Sequence, residues 1–343
     1  MKAVLFRSHG GPEMLEYAEV SEPKPSPQQV IVRVKACSVN HLDLWIRQGI
    51  PAYRIALPHI SGCDVAGTIE ALGPDVTGVK LGDAVIVAPG LSCFACAWCR
   101  AGHDNLCESY GILGAKTDGG YAQFVAVPAR NVFPLPRGVS FEVAAAFPLV
   151  FLTAWHMLMT RASLTSGESV LVHAAGSGIG HAAIQIARLA GATVYTTVGS
   201  DEKAEKAKAL GANQVINYRH ESFGDRIREL TNGRGVDVVF EHIGPETWEG
   251  SMRVLARAGR LVTCGATSGP SVPLDLRYVF SRQLTILGSM MGTRAEFETL
   301  VDLLEKRRLA PLVDTVYPLT EARRVQERML NRDVFGKLVI LSN

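Results

Sequence analysis

Four cysteines close together in the chain are the residues with the clearest chemistry. Cys93, Cys96, Cys99 and Cys107 lie in the segment CFACAWCRAGHDNLC. Two overlapping C-x-x-C steps followed by a fourth thiolate can surround Zn²⁺ in a tetrahedron. Because four protein ligands leave no position for water or substrate, the segment predicts one structural zinc ion per chain that braces a loop.

Two other interpretations of the cysteines stay open. A redox dithiol or a pair of disulfides is disfavoured if the chain is cytoplasmic, since reducing compartments disfavour disulfides. A zinc module that grips nucleic acid is also disfavoured, because the segment holds one arginine and no lysine and the whole chain has a net charge of only +2.

A glycine-rich turn is the second chemical signal. The segment SVLVHAAGSGIGHAAIQIARLAGA reads as strand, turn and helix, and at such a turn the backbone can approach a pyrophosphate while the helix N-terminus supplies positive partial charge. The order of elements follows the dinucleotide fingerprint, although the spacing is G-x-G-x-G. The alternative is a tight turn without a ligand. The predicted cofactor-binding residues here are Ala175, Gly176, Ser177, Gly178, Ile179 and Gly180.

The end of the next predicted strand bears on the choice of cofactor. NAD-binding chains usually carry an acidic residue there for the ribose hydroxyls, and counting back from Gly211 places that position on Val198. Ser200, Lys203 and Tyr218, with Arg219 beside them, offer hydroxyls and cations for a ribose 2′-phosphate. NADP(H) is therefore favoured over NAD(H). Asp201 favours NAD(H) instead, unless its carboxylate serves to cap the following helix.

The pattern of the chain changes near its middle. Up to residue 150, short alternating runs separated by Gly and Pro predict a barrel-like β unit. Residues 151–292 alternate strand and helix patterns, which predicts a doubly wound parallel sheet. Residues 293–343 contain a helix and a final strand, GKLVILS, that we expect to return to the first domain. The predicted fold class is therefore α/β, with two domains.

Composition narrows the possible partners. The charge balance is nearly even, with 35 basic and 33 acidic residues, which disfavours nucleic acid or a membrane surface and favours a small-molecule substrate. The first residues lack the pattern of a signal peptide, so we expect a cytoplasmic protein. Two uncharged stretches, 143–160 and 169–187, are interpreted as buried elements and not as membrane spans.

Taken together, these features resemble the zinc-containing alcohol dehydrogenases of the medium-chain dehydrogenase/reductase superfamily. Besides the cysteine lobe and the nucleotide turn, the segments GCDVAGTI, LGDAVIV, GGYAQFVAVPA, LTAW and GRLVTCG are similar to segments of that family. The resemblance spans essentially the whole chain. It implies a GroES-like catalytic domain (1–150 and 293–343, with the zinc lobe at about 90–110), a Rossmann domain (151–292), and Gly265 as a further cofactor-binding residue.

The family's catalytic zinc ligands do not carry over to this sequence. Their three positions fall on Asn40, Cys63 and Leu149, and the glutamate next to the second ligand falls on Asp64. Leucine cannot bind a metal, and an open catalytic site needs three protein ligands. In these substitutions the chain resembles the quinone and enoyl reductase branch, which works without catalytic zinc. It departs from most of that branch by keeping the structural lobe.

The resemblance implies roles for a few residues. Asn40 and His41 would face the substrate, Asp43 would orient one of them, and Thr153 would lie near the nicotinamide. Trp45 and Tyr53 would line the pocket. Without a Lewis acid, hydrogen bonds must polarise the substrate carbonyl, which suits a quinone or an enone because its developing charge is delocalised.

Two other functions remain open at this stage. One is an alcohol dehydrogenase whose catalytic zinc site is rebuilt from Cys37 and His41, or from His59, Cys63 and Asp64. The other is a nucleotide-binding protein that has lost turnover. The resemblance also implies a homodimer or homotetramer, with the segment TILGSM pairing across a two-fold axis.

Overall fold

The computed structural model describes residues 1–50 and 54–342. The chain forms two compact units: Met1–Leu149 together with Thr293–Asn343, and Val150–Gly292. No helix within the described residues is long and apolar enough to cross a membrane.

The first part of the chain is built mainly from strands. Its strands are β1 (Lys2–Leu5), β2 (Glu16–Glu19), β3 (Gln29–Ser38), β4 (Asp64–Leu72), β5 (Ala84–Val87), β6 (Gly90–Leu91), β7 (Gly111–Ile112), β8 (Phe124–Pro128) and β9 (Val132–Pro134). Its helices are α1 (His41–Gln48), α2 (Ala97–Arg100) and α3 (Phe141–Ala145), followed by α4 (Pro148–Trp155), which leads into the second unit.

The rest of the chain alternates strands and helices. The strands are β10 (Ser169–Val172), β11 (Thr193–Val198), β12 (Gln214–Asn217), β13 (Val236–Glu241), β14 (Leu255–Thr263), β15 (Thr285–Gly288), β16 (Val313–Pro318) and β17 (Lys337–Leu341). The helices are α5 (Gly178–Leu189), α6 (Asp201–Leu210), α7 (Phe223–Leu230), α8 (Pro245–Val254), α9 (Leu276–Arg282), α10 (Arg294–Glu305) and α11 (Ala322–Leu330).

The second unit is a parallel sheet of the Rossmann type. Its strands follow the order β12-β11-β10-β13-β14-β15, and every neighbouring pair is parallel. The order reverses between β10 and β13, and ligands of such sheets bind outside the carboxyl ends of the strands at that point. The predicted α/β fold class is confirmed here, because the strands of this sheet are parallel and alternate with helices along the chain. Strand β10 ends directly before the glycine-rich turn.

The first unit is organised around β3. Its main sheet has the order β16-β17-β3-β4-β5-β9, and β8 also pairs with β3. The apolar residues of β3 are buried; β3 pairs with β17, β4 and β8 and contacts helix α3. The final strand β17 pairs antiparallel with β3, with Val339 opposite Ser38, so that the end of the chain returns to this unit.

One boundary differs from the sequence pattern. The run TWEGSMRVLARAG predicts a helix as far as Gly259, but α8 ends at Val254 and β14 begins at Leu255. Leu255 and Ala256 are buried in the sheet, and an irregularity in the β13–β14 register follows. Burial beside β13 therefore outweighs the helical pattern of these residues.

Candidate active site and metal lobe

The four cysteines predicted to bind zinc converge. The Sγ atoms of Cys93, Cys96, Cys99 and Cys107 all lie within 4.8 Å of one another. The Sγ atoms of Cys93 and Cys99 are 3.9 Å apart, close to the separation of about 3.8 Å that Zn–S bonds of about 2.3 Å give in a tetrahedron. The cluster therefore fits a Zn²⁺ ion held by four thiolates.

Backbone donors around the sulfurs support the same assignment. The backbone N–H groups of Ala95 and Cys96 point at Cys93 Sγ (3.4 and 3.3 Å), and the N–H of Cys93 points at Cys107 Sγ (3.2 Å). Such donors stabilise negative charge on sulfur. The lobe is also tied to its own unit, because the Asp104 carboxylate accepts from the backbone N–H of Arg294 at 3.1 Å.

The glycine-rich turn connects β10 to a capped helix, α5. Ser177 caps helix α5, and its Oγ accepts from the N–H of Gly180 at 2.9 Å. Position 180 has no room for a side chain, because a Cβ there would lie 2.2 Å from the carbonyl oxygen of Ala174. Gly176 lies in the same turn, Gly178 is the first residue of α5, and Ala175, also in the turn, is fully buried. Ile179 occupies the first turn of α5.

A buried polar network contacts the start of this turn at Ala174. Thr197 Oγ1 accepts from the N–H of Ala174 at 3.0 Å and lies 3.3 Å from His173 Nδ1, while His173 Nε2 lies 2.9 Å from Ser251 Oγ. Ser251 in turn donates to the Glu241 carboxylate at 2.8 Å. Burial lowers the pKa of His173 to about 4, so its imidazole is neutral at physiological pH.

The residues predicted near the adenosine ribose gather at the end of β11. Val198 ends the strand and is buried. Ser200 caps α6, with its Oγ accepting from the N–H of Lys203 at 3.3 Å. Tyr218 donates its backbone N–H to Val198, and its hydroxyl lies against Gly199, where a Cβ would come within 2.4 Å of it. The Asp201 carboxylate accepts from Asn217 Nδ2 at 2.8 Å instead of capping the helix.

Asn40 lies in a buried polar network of the first unit. Its Nδ2 donates to Asp64 Oδ2 at 2.8 Å and contacts Cys63 Sγ at 3.3 Å. Its Oδ1 accepts from Lys337 Nζ at 2.5 Å. Reversing the amide would set its N–H₂ against the ammonium and its oxygen against the carboxylate, so these partners determine its orientation. We call this group the Asn40–Asp64–Lys337 network.

Asp43 holds the start of α1 in place. Its carboxylate accepts from the backbone N–H of Asn40 (2.8 Å), the N–H of Gly62 (3.1 Å) and the hydroxyl of Tyr121 (3.0 Å). Burial raises the pKa of Asp43 to about 6, even though these donors favour its charged form. Gly62 is required beside it, since its φ is +106° and a Cβ would lie 2.6 Å from the Tyr121 ring.

Lys337 is the residue that sequence reasoning missed. It begins β17 and is only 2% exposed, with Nζ 3.2 Å from Asp64 Oδ2 and 2.9 Å from the carbonyl of Val39. Asp64 also accepts from the Ser38 hydroxyl at 3.0 Å and from the N–H of Leu149 at 2.8 Å. A lysine at the start of an apolar strand is normally exposed, so nothing in the local sequence indicated that Lys337 is buried. Its place in the strand expected to return to the first domain was the only hint.

These residues do not fit a catalytic metal ion. Within residues 1–50 and 54–342, the four cysteines are the only group of three or more His, Cys, Asp or Glu side chains arranged to hold one. His59 Nε2 is instead 2.9 Å from the carbonyl of Gly114. Leu149 offers no ligand, and the ammonium of Lys337 would repel a divalent cation bound at Asp64.

The remaining predicted residues lie in different surroundings. His41 is exposed at the first position of α1, with its ring 6.1 Å from that of Trp45. Thr153 is buried in α4, and its hydroxyl contacts the Met291 sulfur at 3.7 Å. Gly265 follows β14, where a Cβ would lie 2.9 Å from the carbonyl of His242. Tyr53 lies outside the described residues.

The nucleotide turn on a Rossmann sheet, together with a β unit that carries a four-cysteine lobe, defines an NAD(P)-dependent oxidoreductase. Two family models match the chain: an alcohol dehydrogenase GroES-like domain over residues 26–137 and a zinc-binding dehydrogenase over residues 178–306. The chain belongs to this zinc-binding dehydrogenase family, within the medium-chain dehydrogenase/reductase superfamily, and the predicted resemblance is confirmed.

Relatives of known activity span the entire chain. The chain is 33% identical to a quinone oxidoreductase of Pseudomonas aeruginosa and 33% identical to an alcohol dehydrogenase of Geobacillus stearothermophilus, each match covering 99% of both chains. A crystal structure of an NAD-dependent alcohol dehydrogenase is 44% identical, with a TM-score of 0.95 over 100% of both chains. The family therefore includes both reactions that the sequence left open.

Proposed function

We propose that this protein is an NADP(H)-dependent reductase of quinones, enones or related carbonyl compounds, and that its zinc is structural only. One observation carries the proposal: in the family's catalytic metal position, this chain has the Asn40–Asp64–Lys337 network. The positive charge in this position is the ammonium of Lys337. The position of the family's third zinc ligand is occupied by Leu149, which cannot bind a metal. The similarity to quinone oxidoreductases agrees with this assignment.

Hydrogen bonds replace the Lewis acid in this mechanism. A nicotinamide cofactor held at the glycine-rich turn would supply the hydride. Asn40 and His41 donate to the substrate oxygen, where negative charge develops. One N–H of the Asn40 amide is held by Asp64, and the other meets only the weakly accepting sulfur of Cys63. That second N–H is the donor we assign to substrate, with Asp43 positioning Asn40 through its backbone.

The preference for NADP(H) rests on the residues after β11. Val198 provides no carboxylate for the ribose, and the nearby segments contain hydroxyls and cations that could bind a 2′-phosphate, from Ser200, Lys203, Tyr218 and Arg219. Asp201 and the similarity to an NAD-dependent alcohol dehydrogenase support NAD(H) as the alternative. Comparing the dissociation constants of NADPH and NADH decides between them, and tighter NADH binding would reject this assignment.

Metal counting combined with turnover tests the proposed function. We expect one zinc per purified chain and NADPH oxidation with quinones or enones. Addition of a chelator that leaves this zinc bound should not change the rate. Two zinc ions per chain, with alcohol oxidation lost on removal of one, would instead establish the alcohol dehydrogenase alternative that the Geobacillus relative suggests. Tight NADPH binding without turnover of quinones, enones, aldehydes or alcohols would indicate a non-catalytic protein.

The second unit also has a surface suited to self-association. Strand β15 is at the edge of the Rossmann sheet, and the neighbouring helix α9 exposes Leu276 (65%) and Phe280 (70%) one turn apart. Exposed apolar residues beside an open strand edge are typical of protein interfaces. We propose a homodimer or homotetramer, which light scattering of the purified protein tests; a monomer at micromolar concentration would contradict it.

A further inference from the structure

Lys337 is charged, buried and bonded to a residue assigned to substrate, although the proposed mechanism gives it no task. Its ammonium has three hydrogen-bond partners: the carbonyl of Val39 (2.9 Å), Asn40 Oδ1 (2.5 Å) and Asp64 Oδ2 (3.2 Å). An ammonium group has three donors, so all of them are used. The lysine is therefore held by the two residues that connect β3 to α1 and by the first residue of β4.

We propose that Lys337 is a positioning residue that fixes and polarises the Asn40 amide. A charged donor on Oδ1 draws electron density from the amide, and its N–H groups become stronger donors as a result. The same contact prevents the amide from reversing, which would turn an oxygen toward the substrate. Lys337 thus supplies, through Asn40, part of the polarising effect that a metal ion provides elsewhere in the family.

A purely structural role is the competing explanation. Asp64 is fully buried, and removing its cationic partner would leave an uncompensated charge that is strongly destabilising. A single substitution of Lys337 thus affects folding and catalysis together. Removing both charges separates the two effects, because Lys337→Met with Asp64→Asn leaves neither charge of this ion pair without its partner, while Asn40 still loses its charged donor.

The kinetic experiment compares three variants with wild type. Lys337→Met should lower the thermal midpoint and reduce kcat for quinone or enone reduction about tenfold or more, with the NADPH dissociation constant changed less than twofold. The double variant should recover most of the stability and none of the kcat. The exposed ion pair of Lys306 with Asp302 provides the matched control, and Lys306→Met should match wild type in both measurements.

A second readout does not depend on turnover, because the kinetic prediction rests on the proposed function. In wild type, with asparagine selectively labelled, the Asn40 side-chain amide should give two separate proton resonances protected from exchange with water. These resonances are assigned to Asn40 because they should be missing from the spectrum of Asn40→Ala. In the double variant these resonances should shift and lose protection.

The possible results separate the two proposals. Recovery of wild-type kcat in the double variant, or an unchanged Asn40 amide signal, would overturn the role of Lys337. If no substrate is turned over and the amide signal changes as expected, the proposed function fails while the positioning role remains.

Discussion

At the scale of single residues, the candidate site depends on buried polar groups whose partners are distant in sequence. Asn40 was predicted to face the substrate, and the structure shows that most of its side chain is engaged by Asp64 and Lys337. Asp43 was predicted to orient a neighbour, and its carboxylate does bond the backbone of Asn40. Whether either residue acts in catalysis stays a prediction until variants are measured.

The ionisation of Asp43 should make stability depend on pH. Its pKa in the folded protein is about 6, above the ordinary value of 3.8. Because the folded state holds this proton more tightly, the stability that Asp43 contributes is largest below pH 4 and falls as pH rises toward 6. A shift of this size corresponds to about 3 kcal/mol. The contribution is lost once the pH has risen through the folded pKa and is constant above that range.

Asp43→Asn tests this dependence, because asparagine does not titrate. Urea unfolding of both proteins between pH 4.5 and 8 measures the difference in their free energies of unfolding. We expect the advantage of wild type over the variant to shrink as pH rises to 6 and then to level off. Parallel pH profiles would show that Asp43 does not titrate in this range. Comparing the two proteins cancels the titration of groups that they share.

At the scale of elements, the nucleotide turn follows from local sequence. The helix cap at Ser177, the missing side chain at Gly180 and the preceding strand are all local in the chain, so the pattern predicts them well. The support of the turn by His173, Thr197 and Glu241 was not predicted. Thr197 lies in β11, Glu241 ends β13, and His173 directly follows β10; the carboxyl ends of these three strands meet only in the folded sheet.

Gly180→Ala should disrupt this turn. The new Cβ would lie 2.2 Å from the carbonyl oxygen of Ala174, so backbone must shift. We expect NADPH binding to weaken about tenfold or more and stability to fall by about 1–3 kcal/mol. Fluorescence titration with NADPH and urea unfolding measure the two effects.

Gly224→Ala is the matched control for that change. Gly224 lies in helix α7, and the nearest atom to a Cβ there is 3.7 Å away. Alanine is the better helix former, so stability should rise by up to about 1 kcal/mol with NADPH affinity unchanged. If Gly180→Ala binds NADPH as wild type does, the turn does not need to approach the cofactor closely.

At the scale of the whole molecule, the chain combines two units with different requirements. The Rossmann unit has a hydrophobic core of its own, while the cysteine lobe of the first unit has few buried side chains. A segment of that kind gains its order from the metal it binds. The zinc-binding lobe should therefore limit the stability of the first unit.

Cys96→Ser should remove the structural zinc. With one thiolate missing, we expect zinc content to fall from one ion per chain toward zero and the thermal midpoint of unfolding to drop by roughly 5 °C or more. Cys264→Ser, outside the cluster, should keep its zinc. Metal analysis and thermal unfolding measure both, and full zinc retention in Cys96→Ser would refute the four-cysteine assignment.

The sequence alone determined the features that depend on short stretches of chain: the four-cysteine spacing, the capped glycine-rich turn, the alternation of strand and helix, and a leucine, Leu149, where the family resemblance implies a metal ligand. Only the tertiary structure brought Lys337 and Asn40 together, because they are separated by nearly the whole chain and meet through the pairing of β17 with β3. A contact set by sheet register leaves no local pattern in either segment, since its energy comes from burial and not from neighbours in sequence.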